Sequence, residues 1–306
     1  MNFIKKIVKG KKDPVTEISG CGFEISECLS ECESCTSSYP SSIAKLEKTD
    51  DNGTSLWKTT ANYGLHLIIP TGKSDWQHDA VPNSGAYAKA VGNWADEHGS
   101  KVVGSTVKVS ASLLLSSGLE RDHEYIEGSK GDVLILPLFV WIRGATASEI
   151  PKLLTKVIPD LTTQRDAGAT KLKSSTITDY PGVTIEIDVS KAYIFLCSHR
   201  SRDKRCGITA PIMKKELEFR LRELLLYRDS GDTTPGGVTV AFVNHIGGHK
   251  YAANALIYLK DSGKNIWLAR IKPNNAQPII DECIVNNGKV WPNKVRLVQQ
   301  FNPVSW

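Results

Sequence analysis

The sequence predicts an α/β protein built from two consecutive units. Three observations point there. Short apolar runs alternate with amphipathic stretches of helical length. The longest runs, VLILPLFVWI (133–142) and LHLIIP (65–70), have strand length and fall short of the roughly 20 apolar residues that cross a bilayer. Apolar content of 41% with charged content of 23% marks a chain able to bury a core, not a disordered or membrane-spanning one.

Residues 1–56 are polar, rich in serine and glutamate, and weakly periodic, which predicts a partly disordered leader. Within it, CGFEISECLSECESC holds Cys21, Cys28, Cys32 and Cys35. The spacing lacks a paired C-x2-C pattern, so zinc, thiol exchange and plain exposed thiols all stay open.

Residues 57–188 predict an N-terminal α/β domain with a connecting segment. GLHLIIP (64–70) reads as a buried strand. SGAYAKAVGNWADEHGS (84–100) reads as a helix, with Ser84 as N-cap and Gly99 as stop. STVKVSASLLL (105–115) alternates and then turns apolar. GDVLILPLFVWI (131–142) reads as one buried strand, and TASEIPKLLTKVIPDL (146–161) as the helix after it. The stretch 162–188 is a connection that carries the extended segment GVTIEIDV.

Residues 189–306 form the second unit. KAYIFLCSH (191–199) is a strand ending at Cys197, and RSRDKRCG (200–207) a basic loop. APIMKKELEFRLRELLLYRD (210–229) is an amphipathic helix with Pro211 near its first turn. GVTVAFVNHIGG (237–248) is a strand ending at His245. YAANALIYL and NIWLARIKP pair through the turn KDSGK. QPIIDECIVNNGKVW supplies a final helix with Cys283 in the core. The order β-α-β-β-α resembles a thioredoxin-like fold.

Charge and processing signals narrow the function class. A net charge of +5 is too modest to argue for nucleic acid. The lysine-rich MNFIKKIVKGKKD (1–13) has neither a secretory apolar segment nor the arginines and serines of a transit peptide. That points to the cytoplasm, with the nucleus as a second compartment. Seven cysteines without a secretion signal read as thiols or metal ligands, not as a disulfide framework.

The chemistry-bearing pattern is C-x8-C at Cys197 and Cys206, then H-x-G-G-H at His245 and His249. Each ligand falls at or just past a predicted strand end, and strand ends of an open α/β sheet converge on one edge. Gly247 and Gly248 argue against a helix between the histidines. They favour a loop with positive φ that lets the backbone approach something bulky. Three readings compete: separate structural residues, a Cys2His2 zinc site, or a [2Fe–2S] cluster on two thiolates and two imidazoles. Spacing alone does not separate the last two.

CSHRSRDKRCGITAP and FVNHIGGHKYAANALIYL resemble the signature of the sucrase/ferredoxin-like family. PTGKSDWQHDA (70–80), VLILPLFVWI and the closing SW extend the likeness from about residue 57 onward. The resemblance implies a thioredoxin-like ferredoxin domain with a non-Rieske [2Fe–2S] cluster. Cys197 and Cys206 would then hold one iron and His245 and His249 the other, with His199 outside the ligand set. It further implies a potential above ordinary ferredoxins, with reduction coupled to proton uptake at the histidines.

The remaining motifs are read around that centre. Arg200, Arg202, Lys204 and Arg205 form a docking face for an unidentified redox partner, or an ordinary solvated loop. Asp75, Trp76, His78 and Asp79 form a polar network or a contact with the second unit. The tail Val304, Ser305, Trp306 resembles the segment by which cytosolic iron–sulfur assembly machinery recognises its clients. The competing class is a zinc-stabilised α/β interaction module. A thiol oxidoreductase is disfavoured because C-x8-C is not C-x-x-C.

Overall fold

The structure is a computed structural model that describes residues 13–32, 55–116, 118, 121–173, 180–229 and 231–306. It is an α/β protein in which eleven strands form one mixed sheet. The strands are β1 (Leu65–Pro70), β2 (Val107–Ser112), β3 (Lys130–Leu136), β4 (Val140–Thr146), β5 (Thr184–Ile187) and β6 (Ala192–Cys197). They continue with β7 (Tyr227–Arg228), β8 (Val238–Val243), β9 (Asn254–Leu259), β10 (Lys264–Ala269) and β11 (Val295–Gln300). Their order is β11-β10-β9-β6-β8-β2-β1-β3-β4-β5, with β7 beside β8.

In the second half, β6 and β8 run parallel and are joined through a long helix. The β9–β10 hairpin adds antiparallel on the other side of β6. This is the β-α-β-β-α order the sequence predicts. A single register pair, Ser112↔Val243, ties β8 to β2 of the first half. The Ser112 hydroxyl reinforces the joint by donating to the Phe242 carbonyl at 2.8 Å.

The sheet coils on itself. His66 of β1 hydrogen-bonds Tyr258 of β9 at 2.8 Å, and the Tyr63 and Tyr258 hydroxyls meet at 2.7 Å. Three strands separate β1 from β9 in the sheet, so only a strongly twisted and coiled sheet brings these side chains together. The period-2 alternation of β6 then feeds two cores. Tyr193, Phe195 and Cys197 face the core shared with the first half, while Ala192, Ile194 and Leu196 face the helices. Burial on both faces makes such strands read as unbroken apolar runs.

Four helices concern the argument: α1 (Pro14–Gly20), α2 (Ala86–Trp94), α3 (Ile150–Asp166) and α4 (Lys204–Glu223). Within the N-terminal stretch, α1 docks through Glu17, which accepts from the Trp57 indole at 2.6 Å. Ile25 bridges Val290, and Trp291 donates to the Cys28 carbonyl at 2.8 Å. Cys35 lies outside the described residues. No helix among the described residues is long and apolar enough to cross a membrane.

Several boundaries differ from the sequence reading, each for a local reason. The single strand expected at 131–142 is the β3–β4 hairpin. Pro137 has no N–H for the ladder and Phe139 sits at φ 51, so the chain reverses there. Ser84 does not cap α2. Its hydroxyl donates back to the Ala80 carbonyl at 2.7 Å, and Gly85 takes the cap position. Gly99 lies inside a π-helical continuation, and the stop is Gly104 at φ 70. The helix expected from residue 210 starts six residues earlier, at Lys204, because Asp203 caps it. Pro211 is therefore interior.

Candidate metal centre

Parallel pairing explains how the two halves of the motif meet. Cys197 is the last residue of β6 and sits opposite Val243, the last residue of β8. Both strands thus deliver their carboxyl ends to one edge of the sheet, and His245 follows two residues later. The chain after β6 turns at Asp203 and enters α4, which places Cys206 in the first helical turn. The basic loop expected around Cys206 is thus partly helix. Gly207 is required there, since a Cβ would stand 2.3 Å from Arg200 Cβ.

The structure brings Cys197, Cys206 and His245 together, with one donor atom from each within 4.8 Å of the other two. Among the described residues no other group of three or more such side chains converges this way. Cys197 Sγ faces His245 Nδ1 at 3.6 Å. Both cysteines are fully buried. The Cys206 S–H holds the Cys197 thiol well below its ordinary range, against the opposing effect of burial, and His245 adds to the lowering. The same contact, with burial, pushes the Cys206 thiol upward. His245 Nε2 is buried without a hydrogen-bond partner.

His249 stands apart from that triad. Its ring stacks on His245 with centroids 4.8 Å apart. Its Nδ1 lies 3.2 Å from Asp203 Oδ2, and its side chain is 56% exposed, so it forms the solvent edge of the site. Burial would raise the Asp203 carboxyl, but hydrogen bonds from Arg205 hold it below the ordinary range. An ionised Asp203 accepts only, which fixes the proton on His249 Nδ1 and leaves the Nε2 lone pair available.

Gly247 and Gly248 both adopt φ +74, in the loop the sequence predicts. The bulky neighbour is Arg296 of β11, whose guanidinium donates to the Gly247 carbonyl at 2.7 Å. Sequence reasoning missed this residue. An arginine set between the apolar residues Val295 and Leu297 was its only signal.

His199 is a positioning residue. Its Nδ1 accepts from the His245 backbone N–H at 3.1 Å, and its Nε2 donates to the Trp76 carbonyl at 2.9 Å. Both ring nitrogens are occupied, so it is free to be neither ligand nor base. Burial keeps it neutral by pulling its pKa down. The Asp75–Asp79 segment does contact the second half. Asp75 accepts from Ser201 N–H at 3.2 Å, and Arg202 reaches His78 Nε2 at 2.6 Å. Arg202 and Arg205 are thus engaged internally, while Arg200 and Lys204 are exposed and are joined by Lys250.

The other described cysteines do not join the centre. Cys21 and Cys28 are exposed, Cys32 donates to Gln277 Oε1 at 3.3 Å, and Cys283 is buried beside the Lys289 carbonyl. In the tail, Trp306 is packed in the core and donates its indole N–H to the Leu138 carbonyl at 3.0 Å.

The family model described as sucrase/ferredoxin-like matches residues 56–297. The chain is 34% identical over 288 residues to actin patches distal protein 1 of Saccharomyces cerevisiae, covering 91% of this chain and 86% of that one. It is 36% identical over 101 residues to altered inheritance of mitochondria protein 32 of Debaryomyces hansenii, about a third of each chain. The corresponding protein of Meyerozyma guilliermondii is 30% identical over 99 residues, again about a third of each. No solved structure matches.

Proposed function

The chain belongs to the sucrase/ferredoxin-like family, and from that premise we propose that it is a [2Fe–2S] electron-transfer protein of cytoplasmic redox homeostasis. The observation that carries this reading is the convergence of two buried thiols and an imidazole, with a second imidazole stacked beside them. The residues present fit the group. The donors are sulfur and imidazole nitrogen, a set that selects iron–sulfur clusters or zinc over magnesium or calcium. The partnerless, buried His245 Nε2 and the unequal thiol pair mark a site whose polar atoms are incompletely satisfied by protein alone.

Cys197 and Cys206 would hold the cluster as thiolates, and His245 and His249 as imidazoles. When bound, it supplies one-electron chemistry at a potential set by its ligands, hydrogen bonds and exposure. The chain's own residues do the rest. Asp203 keeps the His249 proton on Nδ1 and orients the ring. His199 fixes the His245 backbone against the Trp76 segment. The exposure of His249 gives its ring a direct path for proton exchange with solvent. Exposed Arg200, Lys204 and Lys250 offer a basic rim to an acidic redox partner.

Loading by the iron–sulfur assembly machinery through Val304, Ser305 and Trp306 belongs to the same proposal. Val304 and Trp306 are buried here, so that machinery would read the tail before it docks.

A second reading is favoured by the compact triad itself. Three donors within 4.8 Å suit a single tetrahedral zinc, with His249 left on Asp203. The chain would then be a zinc-stabilised interaction module, with an indirect role in the actin patches that its relative's name mentions. Metal analysis of anaerobically purified protein separates the two. Equimolar iron and acid-labile sulfide with visible absorption supports the cluster. Colourless protein carrying one zinc supports the module.

A further inference from the structure

We propose that Arg296 is a positioning residue of the metal centre. Its guanidinium both anchors the loop that carries His245 and His249 and biases the centre toward its reduced charge. The electrostatic half rests on the redox reading above; the anchoring half does not.

Arg296 is 2% exposed. Its Nη1 donates to the Gly247 carbonyl at 2.7 Å and to Asn254 Oδ1 at 3.1 Å. Its Nε donates to Thr59 Oγ1 at 2.9 Å, and its Nη2 to the Thr59 carbonyl at 2.8 Å. The guanidinium carbon lies 4.1 Å from the Tyr251 ring centroid and 5.1 Å from that of Trp267. Every partner is neutral, and among the described residues no carboxylate pairs with it. Lys108 stands over the same Trp267 ring at 5.2 Å, so a second cation shares this face.

Burying a cation without a counter-charge is costly, and a neutral donor would serve if the task were only to tie β11 to the loop. A buried charge with no carboxylate to cancel it acts strongly on any charge that changes nearby. Gly247 lies two residues from His245 and two from His249, so the guanidinium is bonded to the segment that carries both imidazoles. Reduction adds one negative charge at the centre, and a fixed cation there favours it. The same hydrogen bond holds the turn in which Tyr251 N–H bonds Gly248 O and Ala252 N–H bonds His249 O, each at 3.1 Å.

Two variants separate charge from geometry. Arg296→Gln is expected to lower the midpoint potential in a spectroelectrochemical titration. It is also expected to speed amide exchange at Tyr251 and Ala252 in the metal-free protein. Arg296→Lys keeps the charge and loses the fork, so the potential stays near wild type while exchange rises; if the glutamine variant does not fold, this variant's exchange decides the anchoring. An Arg296→Gln protein with wild-type potential overturns the electrostatic half. Wild-type exchange at both amides overturns the anchoring half. Iron-free wild-type protein removes the redox reading and the electrostatic half with it, while the exchange result still decides the anchoring.

Discussion

Gly247→Ala and Gly248→Ala form a matched pair whose costs should differ. Both residues sit at φ +74, and Gly248 has ψ 133, outside the left-handed well, so either methyl group brings backbone strain of about 1–3 kcal/mol. The surroundings then diverge. A Cβ on Gly247 would stand 2.1 Å from Arg296 Nη1 and 2.9 Å from Trp267 Cζ2. Arg296 has no room to step aside, since its fork is bonded to Thr59, Asn254 and Gly247 and flanked by two rings. Overpacking a site of this kind costs about 1–3 kcal/mol more. A Cβ on Gly248 meets only the Tyr251 ring, 3.6 Å from Cδ2 and 3.8 Å from Cε2, which is ordinary contact. The expected losses are therefore roughly 2–6 kcal/mol for Gly247→Ala and roughly 1–3 kcal/mol for Gly248→Ala. Urea unfolding of the metal-free proteins measures both. Equal losses would refute the close packing of Arg296 behind the loop.

Three further outcomes follow from the same geometry. His199→Phe keeps a ring but strands the His245 N–H and leaves the Trp76 carbonyl with the Ser201 hydroxyl alone, at about 1–3 kcal/mol by urea unfolding; an unchanged midpoint would show that the tie carries nothing. Burial, aided by the Lys108 charge, pushes His66 down to about 3 from its ordinary 6.5. The unfolded chain therefore binds the extra proton first, and His66 stabilises the fold fully above about pH 6.5 and progressively less as pH falls toward 3. A His66→Gln variant should show a shallower loss over that window, and an identical slope would count against it. Trp306→Ala should cost about 3–5 kcal/mol in the purified protein, because a buried indole and its bond to Leu138 are lost; a stability unaffected by the change would contradict the packed tail.

The site was largely legible because its residues obey simple periods. The β6 run ends at Cys197 as its apolar pattern does, and two adjacent glycines rule out a helix through His245 and His249. Strand ends then bring Cys197 and His245 to one edge with no further information. What stayed hidden depends on tertiary contact. Cys206 looked like a loop residue because RSRDKR has no apolar period, and the helix start rests on one side chain, Asp203. His199 reads from sequence as a loop or supporting residue outside the ligand set, but what it supports stays hidden because its two partners lie 123 and 46 residues away. Strand β11 was overlooked because VRLVQQ mixes apolar and polar residues, its arginine satisfied by groups from residues 59, 247 and 254. The β3–β4 hairpin was read as one strand because its turn, PLF, is as apolar as its flanks. Its reversal shows only in the backbone.

The most direct test is nitrogen hyperfine spectroscopy on the one-electron-reduced protein with 15N-labelled histidine. Two distinct imidazole couplings are predicted, one of them lost in His245→Ala and the other in His249→Ala. A spectrum with no histidine coupling, or a purified protein with no paramagnetic reduced state at all, would contradict a centre shared between two thiolates and two imidazoles.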